Sequence, residues 1–301
     1  MILTLNGAER NGLVHPATKP SPMRAAAGAA EARVEDWIPP VIGHRGAAAR
    51  APENTLGGLR RARALGCRWV ELDARLTGDG ELVLLHDERL ERTTNGRGKV
   101  GAQPLAAIRH CDAGAWFDPS FAGEGVPTLA ETIEVLAELG LGANIEIKAA
   151  RGRAAATGAA TAELLARRWP RELPAPLISS FLGEALTAAR DCMPAIARGW
   201  LVGAVPRDWR EQAGRLGCAA IHADHRRLRP AIVAEIRHAG YAVLAYTVNN
   251  SARARELFAW GVASVFSDVP DIILAGAPAG APRPASPGPA LDAAQRQGAG
   301  W

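Results

Sequence analysis

The chain contains 301 residues, of which 48% are hydrophobic and 22% charged, and it carries a formal net charge of +4 at pH 7. This length allows one large domain or two ordinary ones, and the apolar share is ample for a buried core. The basic residues are scattered and form no run that would follow a nucleic-acid backbone, so no nucleic-acid partner is expected.

Both ends of the chain predict disordered tails. Residues 1–37 mix Asn, Gly, Pro, Lys and Ala without periodicity, and residues 276–301 are rich in Ala, Pro and Gly. The start lacks the apolar stretch of a secretory signal, with Met23 as an alternative first residue, and no apolar run reaches membrane-spanning length. The four cysteines form no CxxC pair, as is typical of a reducing compartment. We therefore expect a cytoplasmic protein without a membrane anchor.

Between the tails, short β-rich runs alternate with helical segments, a pattern typical of a parallel α/β fold. The strand candidates are Val41–His44, Trp69–Asp73, Leu82–His86, Ala143–Lys148, Pro176–Ser179, Ile196–Val202, Ala219–His222, Ala242–Thr247 and Ala263–Ser267. Helical segments lie between most of them, for example 56–65, 129–139 and 231–238. Only the turn 77–80 joins the second and third runs, so these two are expected to form an antiparallel hairpin. The other eight strands predict a TIM-type (β/α)8 barrel over residues 38–275.

The segment 88–127 lacks the helical pattern of a barrel and contains Trp116, Phe117 and several glycines. We interpret it as an ordered insertion over one end of the barrel, where loops commonly shape substrate access. A structural elaboration without substrate contact is an equally good interpretation of the same residues.

Polar side chains occupy two predicted strands near the carboxyl ends, where parallel barrels gather their chemistry. Glu71 and Asp73 share one face of the second strand because strand side chains alternate. On the fourth strand, Glu146 and Lys148 lie opposite an apolar face that suits packing against helices, so they are expected to point inward. Three inward carboxylates need a cation, and oxygen ligands without cysteine suit Mg²⁺ or Ca²⁺. The alternative is a buried ion-pair network with Arg45 and Lys148 as counter-ions.

Two histidines reach the same end of the barrel in this prediction. His44 ends the first strand, and the hairpin brings His86 roughly opposite Asp73. Two imidazoles beside a cation site, with Arg45 and Lys148 nearby, indicate an acid–base pair that faces a bound anion. The forked guanidinium of arginine and the point charge of lysine both suit phosphate oxygens.

The motifs that carry these residues form an ordered series along the chain. They are His44-Arg45-Gly46, Pro52-Glu53-Asn54-Thr55, Glu71-Leu72-Asp73, Asp79-Gly80, His86-Asp87, Arg92-Thr93-Thr94, Pro127-Thr128-Leu129, Asn144-Ile145-Glu146-Ile147-Lys148 and Thr247-Val248-Asn249. From about Pro40 to Ile273 the chain resembles the glycerophosphodiester phosphodiesterase family, of the compact bacterial cytoplasmic kind. Each motif is weak alone, but the ordered series is specific.

The resemblance implies a TIM barrel, one divalent cation, and hydrolysis of deacylated phospholipids to glycerol 3-phosphate and an alcohol. By position, the family's catalytic histidines, metal ligands and phosphate-contacting residues are matched by His44 and His86, by Glu71, Asp73 and Glu146, and by Arg45 and Lys148. Our hypothesis for the reaction is attack by the glycerol 2-hydroxyl to give a cyclic phosphate. In it the first histidine is the base and the second the acid, although these roles can be exchanged.

Three further residues are assigned to the surroundings of the substrate. Phe181 follows a strand at the active face and is expected to contact the glycerol end. Tyr246 stands where the family often has Trp, and we expect it to flank the substrate. Glu53 belongs first to a helix start, which Asn54 or Thr55 can cap. The resemblance gives Glu53 a supporting role as well, the orientation of a catalytic histidine.

The segment His222-Ala223-Asp224-His225 invites a second metal site, but strand side chains three apart face opposite ways. A role at the substrate rim or a purely structural role is expected instead. Two rival functions remain. A lysophospholipase D-like enzyme would need an apolar groove near the insertion, and a non-catalytic phosphodiester-binding barrel would be expected to lack a histidine or a ligand. The preferred alcohol, the native metal and the oligomeric state stay open.

Overall fold

The computed structural model describes residues 33–276. Within that range the strands are β1 (Val41–Gly43), β2 (Trp69–Leu76), β3 (Leu82–Leu84), β4 (Gly142–Ile147), β5 (Leu177–Ser180), β6 (Ala197–Val202), β7 (Ala220–Asp224), β8 (Ala242–Tyr246) and β9 (Ser264–Ser267). Every predicted strand is present, with its ends displaced by a few residues at most. The largest displacement is in β2, which continues to Leu76 because its outer part pairs with β3.

Eight of the strands close a parallel barrel in the order β1-β9-β8-β7-β6-β5-β4-β2, and β1 pairs with β2 to complete it. Strand β3 runs antiparallel on β2, and the turn between them uses Gly80 at φ 89°, a conformation that favours glycine. The predicted TIM-type barrel with a hairpin is therefore confirmed. Because β2 pairs directly with β4, Asp73 lies opposite Glu146 in register.

The helices of the described residues cover the outside of the barrel, close its amino end or, in one case, belong to the insertion. They are α1 (Val34–Trp37), α2 (Leu56–Ala64), α3 (Leu105–Ile108), α4 (Leu129–Leu139), α5 (Ala154–Arg168), α6 (Gly183–Cys192), α7 (Trp209–Leu216), α8 (Pro230–His238), α9 (Ser251–Trp260) and α10 (Pro270–Gly276). Thr55, one of the two predicted caps, accepts a hydrogen bond from the Gly58 amide at the start of α2. Thr128 and Glu131 form a capping box on α4. Across residues 33–276, each helix is too short or too polar to cross a membrane.

The segment 88–127 is the ordered insertion that the sequence predicted. It contains α3 and two single 3₁₀ turns, at 100–102 and 119–121. With the hairpin it builds a small apolar core of its own, made of Val83, Leu85, Leu90, Val100, Ile108, Ala113 and Val126. The insertion thus packs against the hairpin at the end of the barrel where β2 finishes.

The amino end of the barrel corrects the boundary of the predicted N-terminal tail. That tail includes residues 34–37, but they form α1, in which Val34 and Trp37 are buried. The Trp37 ring lies 5.4 Å from the Trp69 ring, inside the apolar cluster that fills the amino end. A helix of one turn gives no sequence periodicity, so only packing reveals it. At the other end α10 includes Gly276, and the remaining tail residues, 1–32 and 277–301, lie outside the described residues.

Candidate active site

Three carboxylates meet at the carboxyl end of the barrel. Glu71 and Asp73 come from β2 and Glu146 from β4, and all three are buried. One oxygen from each lies within 4.8 Å of the others. Ile145, the neighbour of Glu146, is buried in the core cluster between β4 and the helices. Glu146 therefore points into the barrel, as strand alternation predicts.

The negative charges of this carboxylate cluster are only partly compensated. Burial, followed by the charges of Asp73 and Glu146, raises the pKa of Glu71 well above its ordinary value. Burial and then Asp73 raise the pKa of Glu146 to about 7. Burial also acts to raise the pKa of Asp73, but Lys148 and Arg45 outweigh it, so that pKa is lowered. Oε1 of Glu71 and Oδ1 of Asp73 accept no hydrogen bond from the described residues. Such oxygens fit a hard divalent cation, which would offset their mutual repulsion.

Arg45 and Lys148 flank the carboxylate cluster. Arg45 Nε lies 3.3 Å from Asp73 Oδ2, while Lys148 Nζ lies 3.5 Å from Asp73 Oδ1 and 2.5 Å from Glu146 Oε1. The ion-pair network of the alternative interpretation is thus partly formed. No described lysine or arginine side chain forms an ion pair with Glu71, whose Oε2 accepts a hydrogen bond from the Arg45 backbone at 3.0 Å and lies 3.8 Å from His44 Nε2. Ion pairs with Arg45 and Lys148 therefore do not account for the burial of a carboxyl group at position 71.

Asn54 holds Asp73 in place, a role that the sequence reasoning missed. Its Nδ2 donates to Asp73 Oδ2 at 2.8 Å, and its Oδ1 accepts from the Asp73 backbone N–H at 3.0 Å. Arg45 and Asn54 adopt φ values of 50° and 57°, which residues other than glycine adopt at a cost, often at functional sites. The signal was the Pro52–Thr55 motif, but an asparagine before a helix looks like a cap in sequence.

Each predicted catalytic histidine is oriented by an aspartate. His44 Nδ1 lies 2.6 Å from Asp268 Oδ1, and Asn249 Nδ2 donates to Asp268 Oδ2 at 2.7 Å. Burial acts to raise the pKa of Asp268, but the hydrogen bonds with His44 and Asn249 and the charges of His44 and Arg45 together outweigh it, so the pKa is lowered. His86 Nδ1 lies 2.7 Å from Asp87 Oδ1. In both rings Nε2 is the nitrogen left for proton transfer.

The sequence identified both histidines but assigned no role to either aspartate. Asp87 belongs to the His86-Asp87 motif, and Asp268 directly follows β9 at the carboxyl end of the barrel. The hairpin register also differs from the expectation by one residue. The Leu85 amide, not that of His86, donates to Asp73 O at 3.0 Å.

Glu53 contacts two arginines, so its predicted support of a histidine would be indirect. It accepts hydrogen bonds from Arg45 Nη1 at 2.8 Å and from both terminal nitrogens of Arg92 at 2.8 Å. Arg92 Nε also donates to Asp87 Oδ2 at 2.6 Å. Glu53 therefore positions Arg45 and is linked through Arg92 to the aspartate beside His86. Arg92 belongs to the insertion, so the insertion reaches the site through these contacts.

A cavity of about 440 Å³ opens over the carboxylate cluster. Its lining includes charged and titratable side chains, namely His44, Arg45, Glu71, His86, Glu146 and Lys148, and apolar or aromatic ones, namely Phe181, Leu201 and Tyr246. The Phe181 and Tyr246 rings meet edge to face at 5.9 Å, and the Tyr246 hydroxyl donates to Val202 O at 2.9 Å. The two predicted substrate-contacting aromatics thus form one wall. Segment 88–127 contributes nothing to the lining.

The segment 222–225 is divided as strand alternation predicts. His222 lies inside the barrel, while His225 stands beyond the end of β7, where Arg253 donates to its backbone carbonyl. Asp224 pairs with Arg226 at 2.8 Å. All four residues at 222 and 224–226 line the cavity, but they do not form a second metal site. Within residues 33–276, the carboxylate cluster is the one group with metal-binding geometry.

Comparison with known proteins gives the same result as the geometry. The model of the glycerophosphoryl diester phosphodiesterase family matches residues 44–272. The chain belongs to this family. A solved phosphodiesterase from Oleispira antarctica, in complex with the product sn-glycerol-3-phosphate, is 43% identical and has a TM-score of 0.77 over 79% of this chain and 96% of that one. Glycerophosphodiester phosphodiesterases of Caldanaerobacter subterraneus subsp. tengcongensis and Bacillus subtilis are 32% and 34% identical, over 78% and 77% of this chain and 96% and 84% of theirs.

Membership of the glycerophosphoryl diester phosphodiesterase family confirms the resemblance drawn from the ordered motifs. The matched region includes every residue that the sequence assigned to the site, from His44 to Tyr246. It also includes Asp268, which the sequence reasoning passed over. Helix α1 and the residues before it lie outside the match.

Proposed function

We propose that the chain hydrolyses glycerophosphodiesters to sn-glycerol 3-phosphate and an alcohol, with one divalent cation, Mg²⁺ or Ca²⁺. One observation carries the proposal: a single cavity collects three carboxylates, two cationic side chains and two histidines, each histidine held by an aspartate. Phosphodiester hydrolysis needs charge neutralisation at the phosphate, a base and an acid. The Oleispira phosphodiesterase, solved with this product, supports the substrate class.

Arg45 and Lys148 are the residues that would hold the phosphate. The Arg45 guanidinium is fixed by Glu53 on one edge and lies beside Asp73 on the other, which sets its plane before the substrate arrives. Lys148 Nζ lies 5.8 Å from the centre of the Phe181 ring. Both cations line the cavity, so a phosphate between them exchanges water for fixed charges.

Glu71, Asp73 and Glu146 would hold the cation. Their free oxygens and their mutual repulsion are the grounds for this assignment. A divalent cation there supplies positive charge where negative charge develops on the phosphate oxygens. Asn54 keeps Asp73 oriented, and the Arg45 amide does the same for Glu71.

Proton transfer is assigned to His44 and His86. His44 Nε2 takes the proton of the glycerol 2-hydroxyl, whose oxygen attacks phosphorus to form a cyclic phosphate. The bond from phosphorus to the alcohol oxygen breaks, and His86 Nε2 gives that oxygen a proton. Water then opens the ring with the roles reversed, so both histidines return to their first state. Asp268 and Asp87 stabilise the charged imidazoles that form in turn.

A coupled assay for glycerol 3-phosphate tests the proposal, with glycerophosphocholine as substrate. The expected result is turnover that EDTA abolishes and that Mg²⁺ or Ca²⁺ restores, because oxygen ligands favour hard cations. Full activity after exhaustive chelation and dialysis contradicts the metal assignment, and restoration by zinc alone does so as well. Absence of glycerol 3-phosphate contradicts the substrate assignment.

An assay for released choline separates the lysophospholipase D-like rival, because lysophosphatidylcholine and glycerophosphocholine both release choline on cleavage, whereas only glycerophosphocholine gives glycerol 3-phosphate. That rival gains some support from Phe181 and Leu182, which are exposed apolar residues after β5. Preference for the acylated substrate would favour this rival.

A cytoplasmic location is also part of our proposal. Cys67, Cys111, Cys192 and Cys218 are all unpaired, as is typical of a reducing compartment.

A further inference from the structure

The floor of the cavity carries polar groups that the proposed reaction does not use. His222 is 0% exposed and Asn144 1% exposed, and both line the cavity. Neither ring nitrogen of His222 has a hydrogen-bond partner among the described residues, and Oδ1 of Asn144 has none either. Buried polar groups without partners are rare in folded proteins, because they lose hydration without compensation. A group of this kind that faces a cavity is available to a ligand.

Packing, and not hydrogen bonding, fixes the His222 ring. A Cβ on Gly199 would lie 2.2 Å from His222 Nε2, so the ring occupies the space that a side chain at position 199 would take. The Phe266 ring lies 5.3 Å away on the adjoining side. Burial lowers the pKa of His222 to about 3, so the ring is neutral and offers one N–H donor and one acceptor.

Asn144 is held in a complementary way. Its Nδ2 donates to Ser179 Oγ at 2.9 Å, which orients the amide and leaves Oδ1 as a free acceptor. A hydroxyl group in the cavity can accept from a His222 N–H and can donate to Asn144 Oδ1, and both residues line that cavity. Two fixed neutral partners of opposite polarity match an alcohol better than an ion.

We propose that His222 and Asn144 bind the free terminal hydroxyl of the substrate's glycerol and so determine specificity for glycerol over diols that lack this hydroxyl. This inference rests on the proposed function, which gives the 2-hydroxyl to His44 and the phosphate to Arg45 and Lys148. A phosphodiester has two ends, and the open mouth suits the alcohol, which varies in size. The closed floor suits the glycerol that all such substrates share.

Isothermal titration calorimetry tests the inference. The affinities of two ligands are measured for the wild-type chain and for several variants, and the ratio of the two affinities is compared. The ligands are sn-glycerol 3-phosphate and propane-1,2-diol 1-phosphate, which keeps the hydroxyl next to the phosphate-bearing carbon and lacks the terminal one. The wild-type chain should bind the glycerol compound at least about 10-fold more tightly, because the diol leaves buried polar groups unpaired. His222→Leu should reduce this ratio to about 1–2-fold. His222→Gln, which keeps a donor and an acceptor, should retain part of it.

Ser264→Ala is the matched control. Ser264 also has a buried hydroxyl without a partner in the described chain, but it does not line the cavity. Its loss should leave the ratio unchanged. Melting temperatures establish that each variant is folded; if His222→Leu does not fold, the wild-type ratio and the Gln variant still decide.

Equal binding of both ligands by the wild-type chain overturns the inference, and so does an unchanged ratio in His222→Leu. Failure of the proposed function would give a different result, because the wild-type chain would then not hydrolyse glycerophosphocholine at all. Normal hydrolysis with no discrimination between the ligands would leave the proposed function standing and remove His222 from it.

Discussion

The two ends of the barrel are built from opposite kinds of residue, although the same strands run through both. At the amino end, Trp37 and Trp69 pack with other apolar side chains in one buried cluster. At the carboxyl end, Glu71, Asp73 and Glu146 are equally buried but carry like charges in contact. Strand β2 begins with Trp69 and reaches Asp73 four positions later, so a single strand contributes to both ends.

This difference separates stability from chemistry along the barrel axis. Burial of aromatic side chains at the amino end stabilises the fold, whereas clustered carboxylates at the carboxyl end oppose it until a cation is bound. Changes at the carboxyl end should therefore remove activity without loss of stability. Changes at the amino end should have the reverse effect. Four predictions test this division.

The largest effect is expected from Glu71→Gln. The amide keeps the shape of the side chain but removes a charged ligand, so turnover should fall at least about 10³-fold and Mg²⁺ should no longer raise Tm. Because burial and the neighbouring carboxylates raise the pKa of Glu71 well above its ordinary value, the change should not lower Tm in EDTA. Glu172→Gln, at an exposed position, is the control. A variant that is less stable but fully active would break the comparison.

The two histidines should each contribute about 10²–10⁴ to the rate, as positioned acids and bases do. His44→Ala and His86→Ala should lose turnover while they still bind substrate, because Arg45 and Lys148 remain. A p-nitrophenyl phosphodiester that retains the glycerol 2-hydroxyl separates their roles, since its leaving group needs little protonation. His86→Ala should be partly rescued on it and His44→Ala should not.

Equal rescue of both histidine variants would contradict the assignment, and the opposite pattern would exchange the two roles. Wild-type rates in either variant would remove that histidine from the chemistry. His110→Ala is the control, because that side chain is exposed on the insertion.

Trp37→Ala should produce the largest loss of stability, about 3–5 kcal/mol in the free energy of unfolding, because it empties a buried aromatic site. Turnover of the folded fraction should stay near the wild-type value. Trp116→Ala, which removes a 42% exposed ring, should cost much less. A chain of residues 33–276 should keep the stability and the turnover of the full chain, whereas a chain that begins at residue 38 should lose stability. Denaturant unfolding and the coupled assay measure these effects, and a drop in turnover with unchanged stability would reverse the comparison.

The smallest effect is expected from Asp268→Asn. Asp268 pairs with His44 and does not line the cavity. Turnover should fall, but by no more than in His44→Ala, with KM nearly unchanged, because the ring loses the charged partner that stabilises its protonated form but keeps its place. Asp268→Glu should restore part of the rate. Asp191→Asn, an exposed aspartate that pairs with Arg190, is the control. A rise in KM without a fall in kcat would show that Asp268 acts on substrate binding instead.

Much of the fold and part of the site could be read from the sequence, because strand alternation is a local property. The period of two placed Glu71, Asp73 and Glu146 on the inward face and Ile145 on the outward face. A turn too short for a parallel crossover predicted the hairpin of β2 and β3. Family membership followed from the ordered motifs, several of which lie at strand ends, where the barrel gathers its chemistry.

The tertiary structure alone decided which of these residues act on one another. His44 and Asp268 are 224 positions apart, and they meet because β1 pairs with β9 as the barrel closes. Tertiary contacts also decide three other features: Glu53 pairs with arginines, Asn54 hydrogen-bonds Asp73, and Trp37 is buried. Alternation fixes the face on which a side chain lies, because it depends only on neighbouring residues. Partners depend on the closure of the whole sheet, which no local pattern contains.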